Sequence, residues 1–219
     1  MKEITSSKSV KLFGIIGYIL ILFGGILLKI PLRLIDKKIP VAIEEGIVWF
    51  LTFFGLILSL LAFKKLSEIF SKKEIFKDYL TYLLIFLVVI LLEKILSILT
   101  FERTVFLSES EKILIKQAGP IGGLSVGIKK IGPWFLAINL ITYFPFLFGA
   151  YFLIRCFKNV SQETRVDIFK SAGELYFWGA LLKIILIGLP LCSIGELLTL
   201  YGFFALPKSF SGQKLNTSF

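Results

Sequence analysis

Residues 12–28, 47–63, 79–92 and 134–154 contain no Asp, Glu, Lys or Arg, and runs of that kind leave a chain few options. A helix needs about 20 mainly apolar residues to cross roughly 30 Å of hydrocarbon, and shorter runs serve when flanking lysines or arginines snorkel to the interface. The flanks have that character. Lys8 and Lys11 precede the first run, Lys29 and Pro31 close it, Lys64 and Lys65 close the second, and Pro133 and Arg155 bound the fourth. With 56% of residues hydrophobic and only 18% charged, the chain is too apolar for a soluble domain, which carries about a quarter charged residues. The fold expected is all-α, a polytopic transmembrane helical bundle forming a single domain over 1–219. The length of the first run and its lack of a small-residue cleavage site argue against a cleaved signal peptide.

The third run pauses at Glu93 and Lys94 and then continues apolar to Phe101, so its span is placed at 79–99. The last apolar block, 172–206, would measure about 53 Å as one helix at 1.5 Å per residue, well beyond one bilayer core. Two short spans, 172–187 and 189–206, folded back at Gly188-Leu189-Pro190, fit better, because glycine loosens the chain and proline breaks the helix ladder. Such a hairpin brings Lys183 and Glu196 to similar depth on neighbouring helices, where they can pair. On one continuous helix they point to nearly opposite sides, and an unpaired charge in the membrane costs several kcal/mol. Six spans in three hairpins are therefore expected, at about 12–28, 47–63, 79–99, 134–154, 172–187 and 189–206. Five spans with a long kinked last helix is the alternative.

Counting Lys and Arg by side gives fourteen on the side of the termini and ten on the other. The positive-inside rule then puts both termini in the cytoplasm of a multi-pass protein of the cell membrane. Residues 102–133 become an external loop, a small cap in which 104–107 and 113–116 suit a short β-hairpin. Its segment 119–127 has the outer glycine spacing of a phosphate loop, but Ile128 stands where lysine is required and no Ser or Thr follows, so glycine-rich turns are expected there. Leu66, Ile69 and Phe70 among Lys65, Lys72 and Lys73 form a short basic amphipathic stretch suited to anionic headgroups.

Absent residue types narrow the chemistry. There is no histidine and the sole methionine is Met1, which removes Ser-His-Asp and Cys-His catalysis, His-ligated metals and Met-rich sites. Two cysteines, Cys156 and Cys192, are too few for a cluster and lie near opposite faces. No enzyme, cofactor or metal is expected. The scarcity of Asn, Gln, Cys and Met is a thermophile signal. The net charge of +10 reads as membrane topology, since the basic residues flank spans and accompany no nucleic-acid module.

Two stretches about 94 residues apart resemble one another: Phe63-Lys64 with Ile75-Phe76-Lys77, and Phe157-Lys158 with Ile168-Phe169-Lys170. Each joins the end of one apolar run to the start of the next, as a duplicated helix-loop-helix unit would. Both loops fall on one face, so the repeat is parallel. Chance similarity between cytoplasmic loops rich in Lys and Phe is the competing explanation.

These residues also carry a family likeness. The Ile75-Phe76-Lys77 step, the Phe169-Lys170-Ser171-Ala172-Gly173 step and the closing pattern Gly179-Ala180, Ile184-Ile185-Leu186-Ile187-Gly188, Gly202-Phe203-Phe204-Ala205-Leu206 resemble the prokaryotic membrane-protein family called domain of unknown function 996. The likeness runs through most of the chain. It implies a multi-span helical membrane protein of archaea and thermophiles and supplies no activity or site residues. The loop 102–133 is longer than the family leads one to expect.

Lys183 with Glu196 is the leading candidate site, because ionisable groups inside a membrane mark ion or proton paths. A structural ion pair fixing the last hairpin is the plainer reading, since a relay needs further titratable groups at depth. Small residues offer close helix contact: Gly14, Gly17, Gly24 and Gly25 on the first span, and Gly55, Ser59 and Ala62 on the second. The expected role is that of a structural or accessory membrane protein or a subunit of a membrane assembly, with a small transporter or channel around Lys183 and Glu196 as the alternative. Its expected partners are the lipid bilayer and either a second copy or another membrane protein.

Overall fold

The computed structural model describes residues 7–29, 41–105, 119–183, 188–208 and 210. The protein is all-helical, and no strand occurs among the described residues. The helices are α1 (Ser7–Lys29), α2 (Val41–Ile69), α3 (Lys73–Val105), α4 (Gly119–Thr164), α5 (Ile168–Leu181) and α6 (Gly188–Ala205). Four segments are long and apolar enough to cross a membrane: Ser7–Gly24, Gly46–Ile69, Lys73–Glu93 and Leu140–Thr164. Pro190–Ala205 is apolar but shorter. The chain forms two compact units, one comprising Met1–Leu83 with Ala150–Phe219, the other Leu84–Gly149.

The helices outrun the apolar stretches that announce them. Leu66, expected to lie on headgroups, is fully buried in the last turns of α2, because the helix carries its apolar face inward past Lys64 and Lys65. Residues 102–105 continue α3, and 119–133 form the first turns of α4 where glycine-rich turns were expected. The 119–127 segment runs directly into an apolar helix, and propagating that helix costs only about 1 kcal/mol per glycine. Pro120 sits in the first turn, where a missing N–H leaves no bond unmade. Most of the expected β-hairpin, 106–118, lies outside the described residues, while Thr104 and Val105 are helical.

The block 172–206 is a pair of antiparallel helices, α5 and α6. A methyl group on Gly179 would stand 2.7 Å from the Cys192 nitrogen, one on Gly195 3.1 Å from the Ala172 carbonyl oxygen, and one on Gly202 3.0 Å from the Phe169 ring. Helix α5 ends at Leu181 and Gly188 already belongs to α6, so Gly188-Leu189-Pro190 opens a helix where a fold-back was expected. Pro190 starts α6 and does not end α5, since proline is tolerated in a first turn and disruptive later. At 14 and 18 residues these two helices are short beside the roughly 20 that a straight crossing needs.

In the first unit the core is aromatic. Phe63, Phe157, Phe169 and Phe203 are essentially unexposed, with ring centroids 5.8 Å apart for Phe63 and Phe157, 5.6 Å for Phe63 and Phe203, and 5.3 Å for Phe169 and Phe203. Four elements thereby meet in one knot. Ser7 Oγ donates to the Lys208 carbonyl oxygen, and Lys11 Nζ to that of Phe204 at 3.2 Å, tying α1 to the end of α6.

Candidate functional site

The small residues singled out on α1 and α2 meet each other inside the chain. A Cβ on Gly17 would lie 2.8 Å from the Ser59 nitrogen and 2.9 Å from the Gly55 oxygen, and one on Gly55 would lie 2.7 Å from the Gly17 oxygen. No side chain fits between these backbones. Gly24 faces Thr52 further along the same seam, whereas Gly14 faces the Phe203 ring of α6.

The internal echo has a structural counterpart. Ser71 and Arg165, 94 residues apart, are the two non-glycine residues of positive φ among the described residues, at 52° and 58°. They occupy the α2–α3 and α4–α5 turns. The Ile75 amide donates to the Lys72 carbonyl oxygen at 3.2 Å, and the Phe169 amide to that of Val166 at 3.2 Å. The offset therefore stays at 94 through the turn, and the buried Ile75 is the counterpart of Phe169, where the sequence echo matches Phe76 to it.

Counterparts also touch. The Phe63 ring stacks on Phe157, and the Tyr82 hydroxyl meets that of Tyr176 at 2.9 Å. Residues meeting their own counterparts are the signature of a two-fold relation. With both turns at one end, the axis runs along the bundle, as in transporter folds with parallel repeats. One departure is informative: Phe63 stacks on Tyr79 at 4.0 Å, while Phe157 packs on Gly173 at the matching place.

Around this axis lies a buried polar series that the sequence reading missed. Tyr79 shares a 2.6 Å hydrogen bond with Ser59 Oγ, which also donates to the Leu56 carbonyl oxygen at 2.8 Å, and Tyr18 follows Gly17, whose backbone packs on that of Ser59. One turn on, Tyr82 pairs with Tyr176. Tyr18, Tyr79, Tyr82 and Tyr176 are each at most 8% exposed. Towards the turn-bearing end Asp78 is 2% exposed; its Oδ2 accepts no hydrogen bond and stands 3.5 Å from Arg155 Nε. Cys156 Sγ donates to the Ile75 carbonyl oxygen at 3.3 Å. Asp78 abuts the third apolar run, and no periodicity sets it apart from a boundary charge. The tyrosines resemble ordinary interfacial aromatics, although carrying the 94-residue shift on to Tyr82 and Tyr176 would have marked that pair.

Glu196 of α6 follows Gly195, on which a Cβ would lie 3.2 Å from the Tyr176 nitrogen of α5. The α5–α6 register sets Lys183 opposite Gly188 at the closed end and Glu196 opposite Leu175. Their backbones therefore differ in depth by about 12 Å at 1.5 Å per residue. Glu174 of α5 is a further charged residue within the span drawn from 172, and it too escaped the reading.

Residues 51–197 match the family model described as protein of unknown function, DUF996. The chain belongs to this family. The DUF996 match takes in both turns, the Tyr82–Tyr176 pair and Glu196, and leaves out α1 with Tyr18 and the first ten residues of α2. The chain is also 26% identical over 159 residues to an uncharacterised protein of the archaeon Methanocaldococcus jannaschii, covering 73% of this chain and 81% of that relative. No solved structure matches it.

Proposed function

We propose that this DUF996 protein is an accessory or structural component of the cell membrane, working as a subunit of a membrane assembly. The observation behind this reading is the contrast between inner and outer faces. A third or less of each long apolar segment is buried, and residues such as Phe50, Phe53, Leu91, Phe144, Phe148 and Tyr201 point outward. Such faces need lipid or the helices of a partner to cover them. In the second unit Leu84, Ile85, Val88, Phe144, Pro145 and Phe148 line an open, almost wholly apolar groove of about 630 Å³. The sequence holds no histidine, which removes imidazole-based catalysis.

Solubilisation of the tagged protein in mild detergent tests this. A defined stoichiometric complex with a membrane protein, or a defined homo-oligomer, is the result expected, and a monomer with lipid alone contradicts it. Maleimide labelling of Lys208→Cys from the cytoplasm and of Leu189→Cys from outside is expected under the proposed topology; the reverse pattern overturns it.

A second reading, a small transporter or channel, is favoured by one specific observation. The Tyr82–Tyr176 pair lies on the repeat axis with the carboxylate of Glu196 nearby, and transporters place their sites at such repeat interfaces near the midplane.

A further inference from the structure

A relay through a membrane needs several proton-exchanging groups in series, and the pair Lys183 and Glu196 alone does not supply them. The first unit does. Counting 1.5 Å per residue from the ends of their helices that share the turn-bearing side, Asp78 and Tyr79 lie about 8–9 Å deep and Tyr82, Tyr176 and Glu196 about 12–14 Å. Cys192 and Lys183 follow at about 20–23 Å. All six helices send a polar group into this line, α1 through Tyr18 and α4 through Arg155 and Cys156.

The outer end is open: the Arg155 side chain is 46% exposed, while its partner Asp78 is 3% exposed with one carboxylate oxygen accepting no hydrogen bond. Inward of it, Tyr79 is bonded to Ser59, the α1 backbone beside Tyr18 packs on Ser59, and the Tyr79 and Tyr82 rings are 5.9 Å apart. The Tyr82–Tyr176 contact then crosses from one repeat to the other, and Gly195, the neighbour of Glu196, packs on Tyr176 so closely that a Cβ there would stand 3.3 Å from the Tyr176 Cβ. A hydroxyl both donates and accepts, so it can pass on a proton while receiving another, and a carboxylate can hold one.

We propose that Asp78, the Tyr79–Ser59–Tyr18 hydroxyls, the Tyr82–Tyr176 pair and Glu196 form a proton path through the interface of the two repeats. This rests on the transport reading and goes beyond the accessory one, with which it is compatible. A proton arriving past Arg155 binds the Asp78 carboxylate. Each hydroxyl in turn gives its proton to the next group and regains one from the group behind, with a rotation or a single water closing the step from Tyr79 to Tyr82. The Glu196 carboxylate accepts the proton and releases it towards the Cys192 and Lys183 end. No bond other than O–H changes, and each hydroxyl ends as it began.

The test uses the full chain in liposomes loaded with pyranine, driven by a valinomycin-clamped potassium gradient, beside parallel vesicles that report rubidium and chloride uptake. Expected is proton uptake faster than in empty vesicles, abolished by Glu196→Gln, slowed about tenfold or more by Tyr82→Phe or Tyr176→Phe, and unaffected by Tyr201→Phe on the outer surface. Gel filtration and circular dichroism establish that each variant is folded. Proton flux equal in wild type and the two phenylalanine variants overturns the path. Rubidium or chloride flux that falls with these variants, without proton flux, overturns the assignment to protons and leaves the transport reading intact. No flux of any kind in folded wild-type protein overturns both.

Discussion

Gly17 and Gly46 sit in two adjacent long apolar helices and have opposite surroundings. A methyl group added at Gly17 meets the Ser59 nitrogen and the Gly55 oxygen, both backbone atoms that cannot swing aside, whereas one added at Gly46 meets nothing within 4 Å. Gly17→Ala is therefore expected to destabilise by about 1–3 kcal/mol through overpacking, while Gly46→Ala is expected to be neutral or to stabilise by about 0.5–1 kcal/mol by removing a flexible residue from a helix. Thermal melts of the two variants in one detergent check this, and equal effects would contradict the seam. Gly17 and Gly55 were readable in the sequence as small residues on matching faces. Their partners were not, because a stripe reports that something packs closely and not what, and Gly14 on the same stripe serves α6.

At the scale of elements, charge-free runs announced the helices well, but charge is a poor guide to where a helix ends. Helices α2 and α3 extend well beyond their runs because only a three-residue turn separates them, and the chain on both sides of Ser71 stays packed through Leu66, Ile75 and Asp78. The α5–α6 turn shows the same limit. Gly-Leu-Pro reads equally well as a break or as the first turn of a new helix, and only packing of Gly188 against Gly179 decides for the latter. Gly188→Ala would press a methyl group on the Gly179 carbonyl oxygen and the Lys183 amide, so it is expected to lower the melting temperature by several degrees for a loss of about 1–3 kcal/mol. Gly46→Ala serves as the control. A melting temperature unchanged by Gly188→Ala would show that the turn is not built on this contact.

For the whole molecule, the most consequential feature was visible in outline. The 94-residue echo was readable in Phe63, Lys64 and their matches, and the fold extends it to paired turns at Ser71 and Arg165 and to contacts between counterparts. The polar series around that axis was hidden for a physical reason. Hydroxyl groups of tyrosines from α1, α3 and α5 converge only after the repeats pack, and their spacing within any single helix is unremarkable. The α6 carboxylate joins them through the packing of Gly195 on Tyr176. The account rests on the two repeats meeting at Tyr82 and Tyr176, and a double-mutant cycle measures that meeting directly. Unfolding of wild type, Tyr82→Phe, Tyr176→Phe and the double variant, followed in a mixed micelle, should give a coupling of about 0.5–1.5 kcal/mol, the range for hydrogen bonds between membrane helices. Strictly additive effects of the two substitutions would contradict the shared axis.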